Sequence, residues 1–201
     1  MGGQRGRPRS EQARRAVLDA ALTLCRRDSY QATTMKGIAD LAGVGRQTVY
    51  RWWPTKSEVF LEAVIDLIDA QRAALPDTGD ARRDVELFLA DTFTGTPSVA
   101  REAVAGLMAD AQQDPGFANR LQGRLLAPRR ATLRELLARG GFTPPDLDLL
   151  VDVVFGTMWY RLLSRHAPVD GELATQLSRL LDALCPQFGM TGTSPPSTSR
   201  S

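Results

Sequence analysis

Residues 33–56, TTMKGIADLAGVGRQTVYRWWPTK, hold two short helical patterns around a Gly-Val-Gly turn and close at a proline. In the first pattern Met35, Ile38, Ala39 and Ala42 recur at i, i+3, i+4 and i+7, one apolar stripe on a helix of about two turns. Thr33 or Thr34 can cap its start, since a hydroxyl there accepts from an unpaired backbone N–H. Gly43 supplies the backbone freedom of a tight helix-to-helix turn, Val44 can plug the corner, and the second helix begins at Gly45. At about 100° per residue, Val49 and Trp53 share one face while Gln47, Thr48 and Arg51 point almost the opposite way. The spacing predicts a helix-turn-helix in which one face packs and the other is free to read DNA.

The free face carries what major-groove recognition needs: a guanidinium that can bridge guanine O6 and N7, an amide that can pair with adenine, and a threonine methyl for thymine. Arg46 lies in the first turn of the second helix, the part that meets base edges, and the Tyr50 hydroxyl suits a phosphate. Pro54 removes a donor and turns Trp53 away from helical geometry, which stops this helix. Thr55-x-x-Glu58 has capping-box spacing and starts the next helix at once. Lys56 then falls beside free N–H groups in that first turn, a setting that favours a phosphate oxygen.

Residues 10–60 resemble the DNA-binding domain of the TetR family of transcriptional regulators. The resemblance rests on Thr34, Ile38, Ala39, Ala42, Gly43, Val44, Thr48, Tyr50 and Lys56 at the family's spacing. Gly45 departs from it where the family usually has a serine or threonine cap. Trp52-Trp53 replaces His or Tyr followed by Phe, which leaves Trp53 in the core and sets Trp52 as a bulkier neighbour of the phosphates. The candidate DNA contacts are Arg7, Thr34, Arg46, Gln47, Thr48, Tyr50, Arg51, Trp52 and Lys56.

Charge is divided accordingly. Residues 1–57 carry eleven Lys or Arg against four Asp or Glu, and residues 58–201 carry fourteen against nineteen, so the net +2 joins a basic head to an acidic body. Ahead of the first helix, Arg5, Arg7 and Arg9 are separated by glycine and proline; this segment reads either as a minor-groove arm or as a solvated terminus. Ser10 can cap the first helix, with Val17, Ala21, Leu24 and Cys25 on its buried side.

The rest of the chain reads as helical, at about 56–75, 80–94, 98–113, 115–139, 145–165 and 171–185, with glycine and proline between. The expected class is all-α: a three-helix DNA-binding domain over 10–55, preceded by a disordered basic arm over 1–9. A helical regulatory and dimerisation domain follows over 56–188, and a Ser/Thr/Gly/Pro tail, expected to be disordered, over 189–201. Residues 147–163 are apolar almost all round, more than one subunit of this size can hide, and Leu173, Leu177, Leu180, Leu181 and Leu184 stripe the last helix. The resemblance implies that these two helices pair across a two-fold axis, so that two heads bind a palindromic operator in double-stranded DNA. The alternative is that both helices fill the monomer core.

The resemblance also implies a small-molecule effector pocket in the C-terminal domain. Its candidates are Phe93, Met108, Phe117, Phe155 and Trp159, with Met158, Tyr160 and His166 as further possibilities, although such residues at helical spacing also build cores. His166 is the single histidine, and neither Cys25 nor Cys185 has metal-ligand spacing; no phosphate loop or nucleophile elbow occurs. Neither an enzyme nor a metal or cofactor protein is expected. With no long apolar run, the expected location is the cytoplasm, away from membranes, and both cysteines should be reduced core residues. The reading is a regulator, a repressor by family tendency; its alternative is a helical partner-binding protein that has lost sequence reading.

Overall fold

The computed structural model describes residues 7–71, 76–143 and 146–184, with the side chains of 7–9 and 71 outside the description. Among the described residues every regular element is helical. They are α1 (Arg7–Asp28), α2 (Met35–Ala42), α3 (Arg46–Trp52), α4 (Lys56–Gln71), α5 (Ala81–Ala90), α6 (Ser98–Ala111), α7 (Pro115–Leu121), α8 (Ala127–Arg139), α9 (Asp146–Ser164) and α10 (Gly171–Leu184).

The boundaries follow from local chemistry. The Thr34 hydroxyl accepts from Gly37 N, and Gly43 closes α2 in the left-handed region at φ 65°. Asp80 accepts from the amides of Arg82 and Arg83, and Asp114 accepts from Phe117 N with Pro115 in the first turn of α7. One sequence expectation is corrected: α1 starts at Arg7, so Ser10 lies inside its first turn rather than capping it. Pro8 permits this, because the N–H it lacks would have had no helical partner there. The helix expected at 80–94 ends in a π turn, Asp91–Gly95, and another, Gln122–Leu126, joins α7 to α8. In the first of these, the hydroxyls of Thr92 and Thr94 each donate at 2.7 Å to the carbonyl four residues back, competing with the helical ladder.

The chain forms two compact units, one of Met1–Arg72 with Thr96–Pro128, the other of Ala73–Gly95 with Arg129–Ser201. The first therefore includes α6 and α7, which pack with α1 and α4, so the contacts cut the chain differently from a linear division at residue 56. Its core holds Val17, Leu24, Ile38, Val49, Phe60 and Leu107. Tyr30, in the loop after α1, tilts against Phe60 at 4.7 Å between ring centres. Gly106 of α6 admits the other side of that ring: a Cβ there would sit 2.1 Å from Tyr30 Cδ1. Cys25 is a buried free thiol pushed up to about 11 by burial and, secondarily, by Glu102. Cys185 lies outside the described residues.

The second unit is built on Val85, Phe88, Leu89, Phe93, Leu133, Leu136 and Leu137, closed by the inner faces of α9 and α10. Arg134 donates to Asp148 at 2.9 Å and Arg130 pairs with Asp152, linking α8 to α9. Asp148, in the acidic first turn of α9, thus serves an ion pair as well as the helix dipole.

Candidate nucleic-acid interface

The site is the outward face of α3, and what lies behind it determines its geometry. Val49 is fully buried and Trp53 is 4% exposed, so these two pin the helix. Gly45 N-caps α3 with no side-chain bond, its carbonyl accepting from Thr48 N and Val49 N. Trp53, in extended backbone, ends the helix with its N–H on Val49 O at 2.9 Å. On the other side Arg46, Gln47, Tyr50 and Arg51 are exposed, and Thr48 and Trp52 are half-buried. This is the division of faces that the spacing predicts.

The candidate contacts differ in how free they are. The Arg46 guanidinium lies 3.6 Å from Asp40 of α2; both side chains are more than half exposed, so the pair orients the arginine without holding it. Thr34, exposed, uses a lone pair on Gly37 N and keeps its O–H for another partner. Lys56 is more committed: its Nζ donates to Tyr30 O at 2.9 Å and lies 4.3 Å from the centre of the Tyr30 ring. Burial draws this ammonium below the ordinary lysine value, opposed by the nearby Asp110 carboxylate. The side chain of Arg7 lies outside the described residues. The capping box is half formed: Thr55 Oγ1 accepts from Glu58 N at 3.3 Å, while the Glu58 carboxylate takes Arg120 Nε at 2.5 Å.

Two polar assemblies in the same unit are absent from the sequence reading. Tyr30 OH and Ser57 Oγ both donate to Asp110 Oδ2, the second at 2.5 Å, and Glu102 Oε1 accepts from Tyr30 N at 3.2 Å. Burial, with the bond to Asp110, raises the Tyr30 phenol well above its ordinary value, so it stays a donor. In the other assembly Trp53 Nε1 donates to Glu62 Oε2 at 2.8 Å, and Arg14 Nη1 donates to Glu62 Oε1 at 2.9 Å and to Asp66 Oδ2 at 2.8 Å. Burial raises the Asp66 carboxyl and Arg14 lowers it, with Glu62, Glu11 and Asp69 adding to the rise. A buried indole needs an acceptor, so Trp53 signals such a partner, though not which residue supplies it.

The face is thus a cationic and amide surface on a seven-residue helix fixed at both ends. Residues 17–63 match the family model described as bacterial regulatory proteins, tetR family, and residues 75–181 match the tetracyclin repressor-like C-terminal domain. The chain belongs to the TetR family. A relative from Bacillus subtilis (strain 168), the uncharacterized HTH-type transcriptional regulator YdeS, is 31% identical, the match covering 81% of this chain and 84% of that one. The crystal structure of the TetR family transcription regulator SCO0332 is 32% identical, with a TM-score of 0.65 over 87% of this chain and 100% of that one. A transcriptional regulator from Saccharomonospora viridis, solved in complex with choline, shares the fold at 20% identity, with a TM-score of 0.66 over 86% of this chain and 96% of its own.

This TetR-family chain is a DNA-binding transcriptional regulator; such proteins act by binding rather than by turnover. Among the described residues no helix is long and apolar enough to cross a membrane. The five candidate pocket residues do not share one unit. Phe93 and Phe155 are buried in the core of the second, with Trp159 half-buried against it, whereas Met108 and Phe117 belong to the first.

Proposed function

We propose that the protein is a homodimeric repressor that reads a palindromic operator with α3 and is released by a small molecule. In the head, Arg46, Gln47, Thr48 and Arg51 meet base edges, and Thr34, Tyr50, Trp52 and Lys56 meet the phosphate backbone. The observation that carries this reading is the solvent-facing side of α3, where Gln47, Arg51 and a loosely paired Arg46 stand exposed over a buried Val49 and Trp53.

The dimer reading is supported by α9. Leu149, Tyr160 and Leu163 are 62%, 67% and 53% exposed, and with Gly156 they recur at intervals of seven, four and three, which is one face of the helix. Leu180 and Leu184, one turn apart on α10, are also exposed. Exposed large apolar side chains in a continuous stripe mark an association surface. The inner faces of both helices fill the core at the same time, so each helix serves both roles.

Repression follows the family's repressor-like C-terminal domain, and a ligand acts only by binding the DNA-incompetent state better than the competent one. The choline bound to the Saccharomonospora viridis regulator supports a small-molecule effector of this fold. For this chain Phe93, Phe155 and Trp159 are the pocket candidates that share a core. Selection from a random DNA pool, followed by binding to the winner across salt concentrations, tests the proposal. A palindromic winner with steep salt dependence is expected; a pool that stays random overturns the reading head.

A further inference from the structure

The C-terminal end of α3 is held by a buried tryptophan that is also hydrogen-bonded, and it borders open space. A cleft of about 460 Å³ opens between it and the first turns of α1, lined by Glu11, Arg14, Arg51, Trp52, Trp53 and Glu62. Arg51 and Trp52 therefore stand at the rim of open space. Trp53 crosses beneath them and is fastened through its indole N–H to Glu62 Oε2 at 2.8 Å. The other oxygen of Glu62 accepts from Arg14 at 2.9 Å, and Arg14 is itself fixed by two bonds to Asp66, at 2.8 and 2.7 Å. One continuous chain of bonds thus ties the end of α3 to α4 and α1, all within one compact unit.

The other end of α3 is set by the Gly43–Gly45 turn, and Val49 is buried between, so the bond at Trp53 adds to this packing in fixing the tilt of a seven-residue helix. Base reading is sensitive to tilt, because bidentate contacts require the donors of Arg46, Gln47 and Arg51 to meet base edges within a few tenths of an ångström. Phosphate contacts from the flanks are single donors or, at Lys56, a point charge, and they tolerate small rotations better than a bidentate pair does. We propose that Glu62 is a positioning residue for sequence recognition: by accepting from the Trp53 indole while braced by Arg14, it sets the angle at which α3 enters the groove. It touches no base, and its effect is on discrimination between sequences rather than on affinity for DNA as such. The inference rests on α3 being the reading helix.

The test compares the full-length wild type with Trp53→Phe, Glu62→Gln, Glu62→Met and the double variant Trp53→Phe/Glu62→Met. Each is titrated on the duplex selected by the wild type and on random duplex, with a thermal melt for every protein. Trp53→Phe keeps a ring in the core and loses only the N–H; Glu62→Gln keeps an acceptor for the indole; Glu62→Met keeps neither bond. Trp53→Phe and Glu62→Met should each lower the ratio of specific to random affinity by about tenfold, the scale of one hydrogen bond to a charged group. Random-duplex affinity should stay within about twofold. Glu62→Gln should retain most of the discrimination, and the double variant should lose no more than the worse single, because both break the same bond.

An unchanged ratio in Trp53→Phe overturns the proposal even if Glu62→Met fails to fold. So does equal loss on both duplexes, which a purely structural role would give, or a double variant that loses the product of the singles. A wild type without sequence preference removes the reading on which the proposal rests, and is seen before any variant is made.

Discussion

Among the described residues, two helix faces stand exposed, and they are opposite in chemistry. That of α3 shows Arg46, Gln47 and Arg51; that of α9 shows Leu149, Tyr160 and Leu163. Guanidinium and amide groups are content in water, so the α3 face has no cost to recover until a better partner arrives. The apolar stripe gains from removal from water at about 25 cal/mol per Å² and favours association whether or not DNA is present. The comparison teaches that exposure has a different cost on each face: little for the charged and amide groups, more for the apolar stripe.

Charge placed on α9 should give the largest effect. Tyr160→Glu with Leu163→Glu is expected to yield monomers by light scattering and to weaken operator binding by about 100-fold or more, since the second head loses its tether. A variant that stays dimeric would return α9 to the role of a monomer helix and break the comparison. Gly106→Ala comes next, acting in the core of the unit that carries α3. The added methyl meets the Tyr30 ring, and a loss of about 2–3 kcal/mol in unfolding free energy is expected, with the association state of the folded fraction unchanged. A melting curve equal to wild type would mean that Tyr30 can yield.

Arg46→Ala should cost about 1–3 kcal/mol, confined to one base position in a binding-site selection. Equal loss on selected and random duplex would remove it as a base reader. The smallest effect belongs to Lys56→Ala, which should weaken every duplex alike and reduce the slope of log affinity against log salt by about one. Its bond to the Tyr30 carbonyl supplies the contrary outcome: a lower melting temperature with an unchanged slope would make Lys56 a packing residue only.

The helix-turn-helix was legible because period, turn and stop coincide over 24 residues: Ile38, Ala39, Val49 and Trp53 are buried where the spacing places them, and Gly43 takes the left-handed conformation. Helix positions beyond it were legible from glycine and proline punctuation. The start of α1 was not, because proline is tolerated in a first turn and Ser10 offers a competing signal. The π turns at Asp91–Gly95 and Gln122–Leu126 were also hidden, since an extra residue per turn leaves no mark in an apolar pattern. Least legible were the assemblies around Asp110 and Glu62. Their members stand 53 and 80 residues apart in one case and 9 and 48 in the other, and each alone looks like a polar residue on a helix. Periodicity assigns a residue to a face, but only the fold supplies the partner across it.

The loose contact between Arg46 and Asp40 has a consequence for the search along DNA. The guanidinium that approaches a groove already has an acceptor of its own, 3.6 Å away and carried on the same head. A base that engages it must outcompete that carboxylate, so recognition there is an exchange of partners rather than a gain from nothing. With both side chains more than half exposed, that carboxylate is a weak competitor, and the exchange takes little from any duplex that Arg46 would meet.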